Sequence, residues 1–376
     1  MSNAANVYFA SARSTKWRYD DSMPGKLVRL IKQAGLSSYF SKDEWVAVKT
    51  HFGSPGAHRI VRPTFLRTVV NALKAIEAKP FVTDTVRIQG LDYLEVANAN
   101  GINHLSVGAP VILADGLYGK DSIIIKAGDI LKEIAVASVI HDVTGMVVCS
   151  HVKGHINAGY AGAIKNLAMG GVSSSHRHCG WKCGRGAMHT IGEGMMQWNE
   201  ALCQQCMQCV EVCPLEVITF VGEKMVWNSD KCWRCGRCQR VCPAQAIYFP
   251  GDDERFMRSM AEAAKVVLGT FAPSKVLYIN FLTEIQPECD CMPTADVPMV
   301  QDIGILLSDD VVAIERASID LALKERPLPS SAADGIDIGA TSDIFKSIHS
   351  KPYEYQLIEA ERIGLGTSSY ELIMLT

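Results

Sequence analysis

The sequence predicts an α/β protein with a mostly parallel sheet and flanking helices, into which a smaller α+β domain is inserted. Short β-branched runs alternate with helical patterns on both sides of residues 198–250. Between them, one cysteine-rich motif occurs twice in succession. We therefore predict three segments: residues 5–197 begin the α/β domain, residues 198–250 form the inserted domain, and residues 251–376 complete the α/β domain and add C-terminal helices.

The first α/β segment opens with a strand and a helix. Residues 45–50 are a β-branched run, and Phe65 begins a series of apolar residues at helical spacing. Pro63 precedes that series and is favoured in the first turn of a helix. The same alternation continues, with strands predicted at 80–83, 111–114, 123–126 and 145–149 and helices near 91–99 and 131–141.

The pattern resumes after the inserted domain. Apolar residues recur at helical spacing over 256–268, and strands are predicted at 275–285 and 302–307. Asp309 or Asp310 is expected to cap a helix that runs to about Leu323, since a short side-chain oxygen accepts hydrogen bonds from first-turn amides. A polar loop at 326–339 and two helices, at 341–348 and 353–363, are predicted to follow.

The inserted segment is an internal repeat of C-x2-C-x2-C-x3-C-P. The first copy has Cys203, Cys206, Cys209 and Cys213, and the second copy, 29 residues later, has Cys232, Cys235, Cys238 and Cys242. The same offset relates Ile218 to Ile247 and Phe220 to Phe249. Each copy is therefore predicted to be a loop followed by a strand that supplies an apolar wall.

This spacing favours two [4Fe-4S] clusters with crossed ligand sets. Three thiolates at two-residue gaps can bind three corners of one cluster, while the fourth cysteine of the run binds the other cluster. One cluster is assigned to Cys203, Cys206, Cys209 and Cys242, and the other to Cys232, Cys235, Cys238 and Cys213. The alternative is two zinc sites, but zinc modules usually carry two C-x2-C pairs separated by a longer insert. The segment resembles a bacterial two-cluster ferredoxin, which implies electron transfer at low potential.

Composition argues against two classes of partner. The formal net charge of −3 gives no basic field for nucleic acid, and no apolar run approaches the roughly 20 residues that span a membrane. Eight of the 13 cysteines belong to the repeat, and no secretory signal pattern opens the sequence. We therefore expect a cytoplasmic protein.

Ligand-capable side chains follow several predicted strands. Because the carboxyl ends of parallel strands share one edge of a sheet, these side chains are expected to meet there. Ordinary turn chemistry is the alternative, especially for the aspartates. The side chains are His51, Asp84, Asp115, His151, the run Cys289-Asp290-Cys291, and Asp309.

The stretch 150–166 joins a predicted strand to a predicted helix. Its glycines permit close approach of the backbone to a ligand, and a helix that begins near Ala161 would aim its free amides at an anion. Lys165 would add a positive charge, and His151 and His155 could act beside it. We predict that His51, His151, His155 and Lys165 form a catalytic site for an anionic substrate, with a flexible turn as the alternative.

Two further cysteines predict a second metal site. Cys289 and Cys291 lie one residue apart, so a turn or an extended backbone could bring both thiols to one ligand. With His51, His151 or His155 they would suit a soft or borderline metal such as zinc or iron. Two ordinary half-buried thiols are the alternative.

A third group of ligand types lies just before the repeat. It consists of His176, His178, Cys179, Cys183 and His189. The spacing is irregular for zinc, and a surface loop hinged on Gly184 and Gly186 is the alternative. The sequence leaves open whether this group binds a metal.

Several motifs together resemble one family. They are Val48-Lys49-Thr50-His51-Phe52-Gly53, Arg62-Pro63, Thr83-Asp84-Thr85, Ser150-His151-Val152-Lys153-Gly154-His155, Gly162-Ala163-Ile164-Lys165-Asn166 and Cys289-Asp290-Cys291. They look like the uncharacterised iron–sulfur-centre proteins catalogued as domain of unknown function 362, over most of residues 45–325. The resemblance implies an α/β domain that carries a two-cluster ferredoxin insert, with no agreed reaction.

Three classes of function fit these features: a redox enzyme, an electron carrier with no reaction of its own, and a protein whose clusters only stabilise the fold. We expect an iron–sulfur redox protein that passes electrons through two [4Fe-4S] clusters to a site on the α/β domain. An oxidoreductase and a carrier are both consistent with the sequence. The expected partner is a redox protein or a small-molecule substrate, and no motif identifies the substrate, the electron donor or the oligomeric state.

Overall fold

The chain divides into two compact units. A computed structural model describes residues 4–87, 90–180, 182–189, 196–213, 216–232, 237–249, 253–336 and 343–375. The larger unit comprises Met1–Met188 and Glu254–Thr376, and the smaller unit comprises His189–Asp253. The predicted insert, residues 198–250, lies inside the smaller unit.

The larger unit alternates strands and helices. Its strands are β1 (Ala5–Ser11), β2 (Trp45–Lys49), β3 (Lys79–Asp84), β4 (Val111–Leu113), β5 (Ser122–Lys126), β6 (Glu133–Ala137), β7 (Gly145–His151), β8 (Lys153–His155), β9 (Gly159–Ala161), and, after the smaller unit, β14 (Val276–Leu282), β15 (Gly304–Ser308) and β16 (Tyr370–Met374). Its helices are α1 (Met23–Ala34), α2 (Pro63–Ala75), α3 (Gly90–Ala99), α4 (His104–Val107), α5 (Ser138–Asp142), α6 (Ala163–Gly171), α7 (Gly186–His189), and then α10 (Asp253–Leu268), α11 (Val311–Ala322), α12 (Ile344–His349) and α13 (Tyr355–Arg362).

The central sheet has eight strands in the order β16-β1-β15-β14-β7-β2-β3-β4. Five neighbouring pairs are parallel, namely β16 with β1, β14 with β7, β7 with β2, β2 with β3, and β3 with β4. Only β15 runs antiparallel to both of its neighbours in this sheet, β1 and β14. The prediction of an α/β fold with a mostly parallel sheet is confirmed.

Helices cover the sheet on both faces. All seven residues of β7 are buried, and they alternate between two apolar clusters: Met146 and Val148 belong to one, Val147 and Cys149 to the other. Helices α1 and α2 contribute to the second cluster, whereas α6, α10 and α11 contribute to the first. Near-continuous apolar strands are typical of parallel sheets buried on both faces. This arrangement leaves the strand ends as the polar edges of the sheet.

One predicted element is wrong, and another lies outside the central sheet. The strand predicted at 123–126 is present as β5, and it pairs with β6 in a separate antiparallel hairpin. The helix predicted over 131–141 is instead strand β6 followed by the single turn α5. Residues 134–137 are a short, continuous apolar run whose period cannot distinguish a strand from a buried helix. These residues form a strand because they pair with the isoleucine-rich strand β5.

The ends of the chain add elements that were not predicted. Strands β1 and β16 pair in parallel at one side of the sheet, and α1 packs near them.

The helix that starts at Val311 is capped by Asp310 and not Asp309, since the Asp310 carboxylate accepts from the amides of Val312 and Ala313 at 2.9 Å each. Of the helix predicted at 341–348, residues 341–342 lie outside the described residues, and α12 begins at Ile344.

The smaller unit shows the internal repeat in its backbone. It contains β10 (Gln197–Trp198), α8 (Gln208–Glu211), β11 (Ile218–Val221), β12 (Lys224–Trp227), α9 (Arg237–Val241) and β13 (Ile247–Tyr248). In one antiparallel pair, β11 with β12, Ile218 lies opposite Trp227, and in the other, β10 with β13, Trp198 lies opposite Ile247. The offset of 29 residues relates Trp198 to Trp227 and Ile218 to Ile247. Glu216 and Gln245, also 29 residues apart, both have a positive φ of about 50°. In the described residues, each copy of the repeat therefore has a short helix followed by a strand, and both copies contribute to one small apolar cluster.

Within the described residues, no helix combines the length and the apolar character required to cross a bilayer.

Candidate functional site

Polar side chains gather at the carboxyl edge of the parallel strands. Strands β2, β3, β4, β7 and β14 run in the same direction, so the residues that follow them share one edge of the sheet. His51, Asp84, Asp115 and His151 lie at the ends of the first four of these strands. The loop that carries Cys289 and Cys291 follows β14.

Asp309 does not belong to this edge. It follows β15, which is antiparallel to β14, and therefore lies at the opposite edge of the sheet. There its carboxylate accepts a hydrogen bond from the Tyr39 hydroxyl at 3.0 Å. The sequence pattern placed Asp309 after a strand correctly, but a strand's direction is decided by pairing that the pattern does not contain.

Asp84 is the centre of the first polar cluster at the carboxyl edge. Lys49 Nζ lies 3.0 Å from its Oδ1, and His51 Nδ1 lies 2.9 Å from its Oδ2. The Tyr93 hydroxyl donates to Oδ2 at 2.6 Å, and Asn166 Oδ1 accepts from Lys49. Burial would raise the pKa of Asp84, but Lys49 and His51 outweigh burial and hold that pKa well below its usual range. Asp84 is therefore an ionised carboxylate in a buried site.

His51 is oriented by this carboxylate. An ionised Asp84 can only accept, so the hydrogen bond fixes the proton of the neutral imidazole on Nδ1 and the lone pair on Nε2. Nε2 is buried and has no hydrogen-bond partner in the part of the chain that the structure describes, while the side chain as a whole is 24% exposed. This geometry suits a group that accepts a proton or binds a ligand at Nε2.

Cys289 is the centre of the second polar cluster. Its sulfur accepts from the Cys291 backbone amide at 3.3 Å and lies 3.6 Å from Lys165 Nζ. Burial would raise the pKa of this thiol, but the hydrogen bond from the Cys291 side chain, the Lys165 charge and His155 together lower it well below its ordinary value. Cys289 is therefore favoured as a thiolate, with Cys291 as the thiol beside it.

His155 is the histidine that joins these cysteines. Its Nδ1 accepts from the backbone amides of Asn157 and Ala158 at 3.1 and 3.0 Å, which leaves Nε2 to face Cys289. Burial, together with the Lys165 charge, lowers the pKa of His155 to about 4, so the ring is neutral near pH 7. The ligand atoms of His155, Cys289 and Cys291 lie within 4.8 Å of one another, so the group could hold a metal ion.

His151 lies at the predicted edge of the sheet, but both of its ring nitrogens have partners there. Its Nδ1 lies 2.8 Å from Asp290 Oδ1, and its Nε2 lies 2.9 Å from the Thr283 carbonyl oxygen. Both partners accept, so neither ring nitrogen is free to bind a metal or to take a proton. Lys153 Nζ lies 2.9 Å from the other oxygen of Asp290. His151 and Lys153 therefore position Asp290, and with it the two neighbouring cysteines.

The predicted anion cradle is also different in the structure. Helix α6 begins at Ala163, and the Ala163 amide donates to the buried carboxylate of Glu315. Residues of the protein itself therefore occupy the start of this helix. Lys165, on the first turn, lies beside Cys289, and Asn166 contacts Lys49. The first turn of α6 thus connects the Asp84 cluster to the Cys289 cluster.

The group that precedes the repeat is partly assembled. Cys179 and Cys183 form a disulfide with Cα atoms 6.0 Å apart, and Cys179 Sγ lies 3.5 Å from His176 Nδ1. These three residues are close enough to hold a metal ion, which would require the disulfide to be reduced. The His178 ring lies 5.3 Å from the His176 ring, and the side chain of His189 lies outside the described residues.

Seven of the eight repeat cysteines are described, and Cys235 lies outside the described residues. Four of them, assigned above to the first cluster, line one open cavity: Cys203, Cys206, Cys209 and Cys242. The remaining wall includes the apolar side chains of Phe220 and Ile247. Thiols from both copies converging on one apolar-walled cavity fit the donor set of an iron–sulfur cluster. Cys213, Cys232 and Cys238 contribute to the same small apolar core.

Sequence reasoning did not assign Lys49, Tyr93 or Lys153 to the site. It named Asp290, but not as the charge partner of Lys153 and His151. The signal for the lysines was available, since a lysine within or next to an apolar strand is buried at high cost unless an acid pairs with it. Tyr93 carried no such signal, because helix α3 presents it to Asp84 only in the folded chain.

No curated protein matches the sequence. Solved structures that are similar in part include the following two. The lactate racemase apoprotein from Thermoanaerobacterium thermosaccharolyticum is 11% identical with a TM-score of 0.33, and the match covers 74% of this chain and 51% of that one. A structural-genomics protein from Thermotoga maritima is 10% identical with a TM-score of 0.35, and the match covers 72% and 52%. The chain spans about half the length of these two structures.

A family match covers the region that carries both polar clusters. The family described as "Domain of unknown function (DUF362)" matches residues 46–320, which is more than half of the 376 residues. The matched stretch begins in β2 and ends in α11. It therefore includes Asp84, Cys289 and the cysteine repeat. The chain belongs to the DUF362 family.

Proposed function

We propose that this protein is an iron–sulfur redox protein that passes electrons through two [4Fe-4S] clusters to a site on the larger unit. The observation that carries the proposal is the shared cavity of the smaller unit. Cys203, Cys206 and Cys209 come from the first copy of the repeat and Cys242 from the second, as crossed ligand sets require. One-electron transfer is the chemistry that bound clusters would supply.

The spacing of the sulfurs supports clusters over zinc. Four thiolates bound to one zinc ion at about 2.3 Å in a tetrahedron lie about 3.8 Å from one another. In the described part of the chain, two groups bring three ligand atoms within 4.8 Å of one another, and neither includes a cysteine of the repeat. A cubane separates its four thiolates more widely, which agrees with an open cavity.

The polar edge of the larger unit supports a reaction on this protein over a role as carrier alone. His51 is held at Nδ1 by Asp84 and keeps Nε2 for a proton or a ligand. Lys165 adds a positive charge beside Cys289, which suits an anionic substrate or a thiolate. A carrier would need neither an oriented histidine nor a buried thiol pair.

Metal analysis of anaerobically purified full-length protein tests the proposal. We expect about eight iron atoms and about eight acid-labile sulfides per chain, since two [4Fe-4S] ligand sets are present. Cys149→Ala is the matched control, because Cys149 is a buried cysteine of β7 outside the repeat and should leave both numbers unchanged.

Single variants of the repeat then test the crossed assignment. Cys242→Ser and Cys203→Ser should alter the same cluster signal in electron paramagnetic resonance spectra of reduced protein, although the two residues lie in different copies. Cys213→Ser should alter the other signal. Two zinc ions and no sulfide per chain in the parent protein would refute the proposal.

A further inference from the structure

The loop after β14 places two thiols next to each other in a buried polar site. Cys289 is 1% exposed, whereas Cys291 is half-buried, and the Cys291 side chain hydrogen-bonds to Cys289. We propose that Cys289 and Cys291 form a redox-active dithiol that exchanges with small disulfide substrates and cycles through an intramolecular disulfide.

The surroundings of Cys289 favour its reduced form. The Cys291 amide, the Lys165 ammonium group and the His155 ring all face its sulfur. Hydrogen-bond donors and a positive charge stabilise a thiolate, but a disulfide carries no charge for them to stabilise. A dithiol whose reduced form is stabilised in this way makes an oxidising disulfide that is easily reduced.

The two cysteines differ in exposure as whole residues. Cys291 is partly exposed, and its backbone carbonyl is fixed by the Ser54 hydroxyl at 2.8 Å. Cys289 is buried against Lys165. Cys291 is therefore the cysteine that meets a substrate disulfide, and its proton passes to the Cys289 thiolate along the hydrogen bond between the two side chains, which makes Cys291 the attacking thiolate. Cys289 then closes the protein disulfide, and the proton it received leaves on the second substrate thiol.

The contacts favour the dithiol over a metal ion in the same place. A closed zinc site takes four donors, and a catalytic one takes three from the protein. The Nδ1 lone pair of His155 already accepts two backbone hydrogen bonds, so the neutral ring carries its proton on Nε2, towards the sulfur. The Asp290 carboxylate is bound by Lys153 and His151. Two sulfurs remain, with an ammonium group at 3.6 Å where a metal cation would be repelled.

The exchange conserves atoms and charge. The Cys289 thiolate, the Cys291 thiol, one substrate disulfide and one proton from solvent give the Cys289–Cys291 disulfide and two substrate thiols. The sulfur–sulfur bond of the substrate breaks, and one forms between the two cysteines. The Cys291 proton and the solvent proton end on the two released thiols.

The source of electrons for this dithiol rests on the proposed function. Reduction of the protein disulfide to the thiolate and thiol takes two electrons and one proton, and two reduced [4Fe-4S] clusters would each supply one electron. The dithiol itself does not depend on the clusters. Iron and sulfide content tests the clusters, and the thiol equilibrium tests the dithiol.

The thiol equilibrium can be read from a single peptide. Trypsin releases residues 276–316 as one fragment, in which Cys289 and Cys291 are the only cysteines. Full-length protein is equilibrated without oxygen in buffers of reduced and oxidised glutathione, and free thiols are alkylated with a light reagent. The remaining cysteines are then reduced and alkylated with a heavy reagent. As the proportion of oxidised glutathione rises, we expect both cysteines to change together from the light label to the heavy label. The two changes should have the same midpoint in the glutathione ratio.

Variants of Lys165 test the source of the redox poise. Lys165→Met should raise the equilibrium constant for disulfide formation about tenfold, which is about 30 mV for a two-electron couple, because the thiolate loses its positive partner. Lys165→Arg keeps the charge and should change the constant less than about threefold. The matched control is Lys126→Met, which replaces an exposed lysine of β5. Circular dichroism spectra establish that each variant is folded, and His155→Gln, which also removes a donor to Cys289, replaces Lys165→Met if that variant does not fold.

Four results would overturn the inference, and the first three need no variant. The first is that both cysteines stay light at every glutathione ratio, and the second is that each carries glutathione without the paired change. The third is that both resist alkylation until a chelator removes a metal, which would make the pair a metal site. The fourth is an equal equilibrium constant for disulfide formation in Lys165→Met and Lys126→Met.

Discussion

Replacing Asp84 by alanine is expected to lower the free energy of unfolding of the larger unit by about 3–5 kcal/mol, because Lys49 would remain as a buried charge without its partner. The Lys49 and Asp84 side chains are only 1% and 3% exposed, and Nζ and Oδ1 lie 3.0 Å apart. His51 and Tyr93 would lose their shared acceptor in the same substitution. Urea unfolding followed by far-ultraviolet circular dichroism measures the change.

Two further variants separate the buried pair from ordinary surface charge. Lys42→Ala removes an exposed ion pair with Glu77, whose side chains are 64% and 67% exposed, and should cost less than about 1 kcal/mol. The double variant Asp84→Ala with Lys49→Met removes both buried charges, so it should recover part of the loss. If Asp84→Ala costs no more than Lys42→Ala, the buried network does not stabilise the fold.

The sheet was largely predictable because its strands are apolar on both faces. Residues 45–50 and 145–149 form the cores of β2 and β7, where side chains pack against helices above and below. Such runs are recognisable without alternation. The direction of β15 was not predictable, because it depends on pairing with β1 and β14, and this is why Asp309 was assigned to the wrong edge.

The candidate site was predictable as a neighbourhood but not in its contacts. The motifs correctly brought His155, Lys165 and Cys289 together, since they follow neighbouring parallel strands or begin the next helix. They did not show that His151 would be held at both nitrogens, or that His51 would pair with Asp84. Those outcomes depend on which acceptor each ring meets after folding, and acceptors such as the Thr283 carbonyl have no sequence signature.

Glu315 is a buried acid that no motif indicated. It lies on α11, and its Oε1 accepts from the Ala163 amide at the start of α6 and from Asn280 Nδ2 at 3.2 Å. A Cβ atom added at Gly162 would lie 2.3 Å from the same oxygen, so a side chain at that position would displace this carboxyl. Burial raises the pKa of Glu315 to about 7, although hydrogen bonds from Asn280 and Ala163 oppose that change.

The raised pKa gives this group a defined effect on stability. The folded protein holds the Glu315 proton up to a pH of about 7, whereas an unfolded chain releases it near the ordinary value of 4.5. The contribution to stability is therefore fully present below pH 4.5 and is lost as the pH rises through 7. A difference of about 2.5 pKa units corresponds to about 3 kcal/mol.

Glu315→Gln should remove this dependence, because the amide stays neutral at every pH and its oxygen can still accept from Ala163. The difference in unfolding free energy between Glu315→Gln and the parent should therefore change by about 3 kcal/mol between pH 4.5 and pH 8, in favour of the variant at the higher pH. Urea unfolding at a series of pH values measures it, and Glu95→Gln, an exposed glutamate of α3, is the matched control with a constant difference. A constant difference for Glu315→Gln as well would mean that the carboxyl is ionised in the fold at neutral pH, with the amides of α6 and Asn280 offsetting its burial.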